Sequence, residues 1–228
     1  MKMIKVVFFL LFMVLSFSTK CYANAFSTEA NFIFSNKVEI SRIDSFLYEG
    51  NYMLQEKEFV AYSLIQYKSE EAIKLLKKML NDSKPEFQSI AIMPLINAGE
   101  FEIAFNKFKE LIQLDEKEVL INFYKPNTGG KFEENKRLIY KKYEQQFGPF
   151  LIKLCNSNSI SYSIKYYAAN TLFYLGNEEF LQPICNEILS NIPDSKKKPS
   201  ERTEEESQNW HLRYNAKFSL KRLSNEKE

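Results

Sequence analysis

Residues 161–191 read SYSIKYYAANTLFYLGNEEFLQPICNEILSN, and this stretch decides the fold. Its spacing predicts a helix, a short turn and a second helix. Ile164, Ala168, Leu172 and Leu175 fall at helical intervals and lay one apolar stripe along the first segment. Gly176 is placed to stop that helix, because glycine accepts the left-handed conformation a helix end requires. Asn177 is then expected to cap the next helix, with Glu178 and Glu179 in its first turn, where the dipole favours carboxylates.

The same unit recurs on both sides. Take Ser69, Gly99, Gly176 and Ser224 as the stops of successive second helices. Eight residues before each stands an alanine: Ala61, Ala91, Ala168 and Ala216. Four residues before each stands a large aliphatic side chain: Ile65, Leu95, Leu172 and Leu220. The first two stops are 30 residues apart, as are Cys155 in FLIKLC and Cys185 in FLQPIC. A small residue at a fixed offset lets helices approach, and a large one fills the space between them. Helix pairs repeating at a period of roughly 20–50 residues mark a solenoid.

Between these landmarks the chain reads as further helices. One ends near Lys68. Ser69 caps the next, which carries Ala72, Leu75, Leu76 and Met79. Asn81-Asp82-Ser83 is a turn, and Pro85 suits a first helical turn, where its missing N–H costs nothing. Pro94, inside that third helix, is expected to kink it. Residues 100–114 form a fourth helix, and Asp115 is expected to cap a fifth carrying Val119, Leu120 and Phe123.

KYYAANTLFYLGNEEFLQPICNEIL and LRYNAKFSLKRL resemble the second helices of the HEAT-repeat family, over roughly Glu56 to Leu223 with two interruptions. The family's usual arginine is missing before Ala61 and Ala91. The resemblance implies an all-α fold: a right-handed superhelix of antiparallel helix pairs whose concave face binds other proteins. A short irregular or mixed segment precedes it.

The first interruption, Lys125-Pro126-Asn127-Thr128-Gly129-Gly130-Lys131, is a turn cluster leading into a charged helix from Phe132 to Gln146. TGGK is not a phosphate-binding loop, which needs an earlier glycine and a Ser or Thr after the lysine. The second interruption, Ile192 to Gln208, holds three lysines and then three glutamates with almost nothing apolar. It reads as solvated disorder or, alternatively, as a partner contact.

The ends differ in character. Residues 1–23, MKMIKVVFFLLFMVLSFSTKCYA, combine a positive head with an apolar run too short to span a bilayer comfortably, and read as a cleaved secretory signal. A retained anchor and a lipid on Cys21 are the alternatives, the latter disfavoured by Lys20. Residues 24–54 form a lead-in, extended at first, then helical from Val38 to Leu47 with Asn36 as a possible cap. A short β-hairpin is the alternative there. Residues 55–228 form the helical-repeat domain.

Composition narrows the function classes. The chain is 45% hydrophobic, 15% aromatic and 26% charged, a globular profile. It holds 31 Lys+Arg against 29 Asp+Glu, and removing residues 1–23 leaves a balance of −1. No bulk charge argues for nucleic acid or an anionic membrane. His211 is the only histidine, so neither a conventional zinc site nor a histidine-based catalytic set is indicated. No catalytic residue, metal site or cofactor is expected. No membrane insertion is expected once the signal is removed. The spacing leaves oligomeric state open. Both remaining cysteines lie among Ile152, Leu154, Leu181 and Ile184, so two buried free thiols are expected and no disulfide.

The candidate surface is aromatic. Trp210, Tyr214 and Phe218 make an i, i+4, i+8 stripe beside the Leu212/Ala216/Leu220 face, and Tyr166, Asn170 and Phe173 do the same one unit earlier. Stacked units would align them into a column that either contacts a partner or packs between repeats; Tyr and Trp are common binding hot spots. The expected function is an exported scaffold for a protein or peptide partner. A periplasmic immunity protein neutralising a toxin and a cell-envelope enzyme are the alternatives.

Overall fold

The computed structural model of the chain describes residues 27–125 and 131–225. The expected signal at residues 1–23 and the turn cluster at 126–130 lie outside the described residues. Among these residues the chain is helical and contains no strand. The α-helices are α1 (Thr28–Ser35), α2 (Ile40–Glu49), α3 (Leu54–Ser63), α4 (Glu70–Leu80), α5 (Pro85–Asn97), α6 (Phe101–Gln113), α7 (Lys131–Lys142), α8 (Glu144–Cys155), α9 (Tyr162–Tyr174), α10 (Leu181–Asn191) and α11 (Glu204–Asn225). Tight 3₁₀ segments follow α3 (Leu64–Tyr67), follow α6 (Lys117–Asn122) and precede α11 (Pro199–Glu201).

Local chemistry sets these boundaries. Ser27, Ser69 and Ser161 each accept a hydrogen bond from the backbone N–H three residues on, which satisfies one of the free donors of a first turn. Pro85 occupies the start of α5. Three helices end in one pattern. After α9, Gly176 has φ 92°, its N–H donates to the Phe173 carbonyl at 3.1 Å, and Asn177 N–H donates to the Leu172 carbonyl at 2.9 Å. After α5, Gly99 (φ 95°) and Glu100 donate to Ile96 and Leu95 in the same way. After α6, Asp115 (φ 54°) and Glu116 repeat it on Ile112 and Leu111. This is the left-handed helix stop with paired 6→1 and 5→2 bonds. The aliphatic residue four before the stop is thus the one whose carbonyl closes the helix.

The described residues divide into two compact units. The first holds α1–α5, α6 as far as Glu110, and α7 as far as Lys136. In it α3 packs on both α1 and α5, α2 packs on α4, and each of the pairs α2/α3 and α4/α5 is also in contact. Phe34 stacks on Phe59 at 3.9 Å and Tyr48 on Phe87 at 4.4 Å. The Tyr67 hydroxyl donates to the Val38 carbonyl and accepts from the Val38 N–H, pinning the α1–α2 connection. This unit also buries charge. Lys136 Nζ lies 2.9 Å from Glu58 Oε1 and 3.0 Å from Glu133 Oε1, with all three side chains buried.

The second unit holds residues 111–125 and those from Arg137 on. Here α8 packs on α9, α9 on α10, and α10 on α11. Tyr140 donates to the Asn122 carbonyl at 3.1 Å and lies 4.5 Å from the Phe147 ring. Cys155 and Cys185 are both buried and free. Burial pushes each thiol up to about 12. The four register alanines, Ala61, Ala91, Ala168 and Ala216, are all fully buried.

Several expectations are corrected. Residues 28–35 are helical, not extended or hairpin, because Ser27 caps them and Ala30 and Ile33 go into the core. Asn36 ends α1 instead of starting α2, its N–H being taken by the Phe32 carbonyl. The first repeat's left-handed residue is Lys68 (φ 48°), one before the expected stop. Asp115 ends α6 and caps nothing downstream; a short 3₁₀ segment follows it where a fifth α-helix was expected. The helix expected over 132–146 is split at Tyr143 (φ −112°, ψ 31°) into α7 and α8. Pro149 in α8 removes the bond to the Gln145 carbonyl and weakens that helix near its start. Asn177 is not the cap of α10, because its N–H closes α9; α10 starts at Leu181. Ser224 is inside α11, which starts at Glu204 and so takes up the end of the expected loop. The rest of that loop is held by ion pairs. Lys197 meets Glu206 at 2.7 Å, and Asp194 meets Lys217 at 3.3 Å and Arg213 at 3.8 Å.

Candidate functional site

The structure divides the six aromatic-column residues by their surroundings. Tyr166 lies on α9 and points into the second unit. It is 6% exposed, its hydroxyl sits 3.0 Å from Ser219 Oγ, and burial pushes it up to about 12. Asn170 is also buried. Phe173 is half-buried and lies under the Arg222 guanidinium, 4.6 Å from the ring centre. Tyr166 and Phe173 of α9 thus contact α11 through Ser219 and Arg222.

The other three belong to the outer side of α11. Leu212, Ala216 and Ser219 form its buried side. Tyr214 and Phe218 lie opposite, 56% and 48% exposed, although both are large apolar rings. Trp210 is half-buried and stacks on Tyr214 at 5.6 Å. The Arg202 guanidinium, from the connection before α11, lies 4.6 Å from the centre of the Trp210 ring. Arg202, Trp210 and Tyr214 therefore form a short ladder, with Phe218 one turn further along. A helix is held this way because Arg213 donates to the Leu189 and Ile192 carbonyls at the end of α10. That bond satisfies free C-terminal acceptors and fixes the rotation of α11.

Charge follows the same side. Tyr214, Lys217, Phe218 and Lys221 are spaced i, i+3, i+4, i+7, so they share one face. All four are exposed. From Ser207 to Asn225 the helix carries Arg213, Lys217, Lys221 and Arg222 and no Asp or Glu. The facing carboxylate is Asp194. The arrangement presents aromatic rings flanked by ammonium groups, suited to apolar and anionic contacts. It brings together no nucleophile and base. Among the described residues no group of His, Cys, Asp and Glu could hold a metal ion, and no helix is long and apolar enough to cross a membrane. His211 is exposed beside Trp210.

Each unit also carries a groove. One of about 500 Å³ in the second unit is lined by Gly148, Pro149, Ile152, Leu172 and Leu175. One of about 350 Å³ in the first unit is lined by Ile65, Lys68, Ala72, Ile73 and Leu76. Leu172 and Ile65 each lie within four residues of a left-handed residue, Gly176 and Lys68, so each groove sits beside a helix end. The sequence reading missed both grooves, which depend on how neighbouring helices diverge. It also missed Arg202, and it missed Lys217 and Lys221, for which the acid-free run from Ser207 to Asn225 was an available signal.

Comparison with protein-family models, with curated proteins and with solved structures returns no match.

Proposed function

We propose that this chain is a binding protein that takes a protein or peptide partner on the outer face of α11. The observation that carries the reading is the pair of large rings, Tyr214 and Phe218, held in solvent on a helix whose opposite side is anchored. Exposed aromatic side chains in a line are costly to hydrate and are the residues that dominate binding energy in interfaces. The helix is rigid enough to present them, because Arg213 and Tyr166 tie it to α10 and α9. The alternating packing of α1, α3 and α5 in one row and α2 with α4 in another supports a HEAT-like arrangement of helix pairs within the first unit. The character of residues 1–23 supports export, and so a periplasmic or extracellular partner.

The test is affinity capture from the envelope fraction of the producing cells, with the wild type and with the Tyr214→Ala/Phe218→Ala variant in parallel. A protein retained by the first and lost from the second, at unchanged melting temperature, supports the reading. Identical captures by both overturn it.

A further inference from the structure

We infer that the segment of the partner seated on α11 is acidic: a stretch in which carboxylates alternate with apolar side chains. This rests on the binding reading above and specifies its chemistry. The face has two components in register. Tyr214 and Phe218 offer apolar surface, and Lys217 and Lys221 stand between and beyond them on the same side. Nothing acidic occurs on α11 after Glu206. Asp194 is shared between Lys217, 3.3 Å away, and Arg213, 3.8 Å away, and Lys217 is itself exposed. Arg222, further along, lies over the Phe173 and Tyr174 rings and extends the positive field. A chain of nearly balanced charge thus places the carboxylates of α11 at its start and four basic residues along the rest of the helix. Charge complementarity selects an acidic segment and repels a basic one, while the rings require that the segment also carry apolar groups. A single-stranded nucleic acid would match the rings and the charge as well. The near-neutral balance of the chain, and the confinement of the strip to one helical face, favour the peptide.

Trp210 is the single tryptophan of the chain and stacks on Tyr214, so its emission reports this face directly. The experiment pans a random peptide library displayed on phage against the full chain, then titrates enriched peptides while following Trp210 fluorescence. Enriched peptides are expected to carry net negative charge with interspersed Leu, Ile or aromatic residues. Their binding should weaken about tenfold or more in Lys217→Glu/Lys221→Glu and fall with rising salt. Both lysines are exposed, so the melting temperature should not move. Enrichment of neutral or basic peptides that still need Tyr214 and Phe218 overturns the acidic inference and leaves the binding reading standing. Enrichment indifferent to Tyr214→Ala/Phe218→Ala, or no enrichment at all, overturns both. A single-stranded DNA oligonucleotide that shifts Trp210 emission where no peptide does overturns the inference in favour of nucleic acid.

Discussion

Tyr166 Oη on α9 lies 3.0 Å from Ser219 Oγ on α11, inside the second unit. The contact separates two tyrosines that look equivalent in sequence. Tyr166 and Tyr214 stand at the same position in the sequence register, ten residues before Gly176 and Ser224, yet one is 6% and the other 56% exposed. Tyr166→Ala should therefore cost on the order of 3–5 kcal/mol, as large-to-small changes in a core do. Tyr166→Phe should cost about 1 kcal/mol, leaving Ser219 without its partner. Tyr214→Ala should stay within about 0.5 kcal/mol. Urea unfolding of the three variants checks this; equal costs for Tyr166→Ala and Tyr214→Ala would show that the two sides of α11 are wrongly assigned.

The buried Lys136 makes a second prediction. Its Nζ lies 2.9 Å from Glu58 and 3.0 Å from Glu133, with all three side chains buried in the first unit. Lys136→Met keeps an unbranched chain one heavy atom shorter and removes the charge. It should destabilise by roughly 3–5 kcal/mol, because buried carboxylates lose their counter-charge. The triple replacement of Lys136, Glu58 and Glu133 by apolar residues of similar volume should recover most of that loss. A mild effect of Lys136→Met, under about 1 kcal/mol, would mean that water reaches the cluster.

Much of this was legible in the chain, and the limits have physical causes. Ser69 and Pro85 act where the sequence places them, because caps are local chemistry. The alanines at the fixed offset are fully buried, since only a small side chain fits where helices approach. Asn177 misled because a cap signature and a helix stop use the same residue types; which backbone group it serves depends on Gly176 turning left-handed before it. Asp115 misled for the same reason, with an aspartate doing what glycine does elsewhere. The aromatic column was legible as periodicity but not as a surface. Period says which residues share a face of a helix. Which face is covered depends on α9 and α11 meeting across Tyr166 and Ser219, 53 residues apart in sequence.

Gly176 offers a test of the stop itself. It has φ 92°, and a Cβ built there would meet no atom within 4 Å. Steric contact is therefore absent, and only backbone conformation opposes a side chain. Gly176→Ala should cost about 1–2 kcal/mol, and Gly176→Asn less, because asparagine tolerates the left-handed region. Thermal melting of both variants distinguishes the cases; an alanine variant as stable as the wild type would rule out the left-handed stop.

The last prediction concerns Cys155 and Cys185. Both are buried and free, and burial pushes both thiols from 9 to about 12, the nearby Lys165 and Arg222 only partly opposing it. Ellman's reagent at pH 8 should find no thiol in the native chain beginning at Asn24. After denaturation without reductant it should find both. The same burial fixes a pH dependence. The folded state holds the thiol protons more tightly than the unfolded chain does. Unfolding therefore releases protons once pH exceeds 9, and stability present below that value is lost as pH rises towards 12. Tyr166, pushed from 10 to about 12 by burial, acts in the same direction over the upper part of the window. The combined loss should be on the order of a few kcal/mol between pH 9 and 12. Urea midpoints at pH 8, 9.5 and 11 should fall in that order, and Cys155→Ala/Cys185→Ala should flatten the decline. A midpoint that holds to pH 11, or a native chain that reacts at pH 8, would place the thiols in solvent and break the packing of α8 and α10 described above.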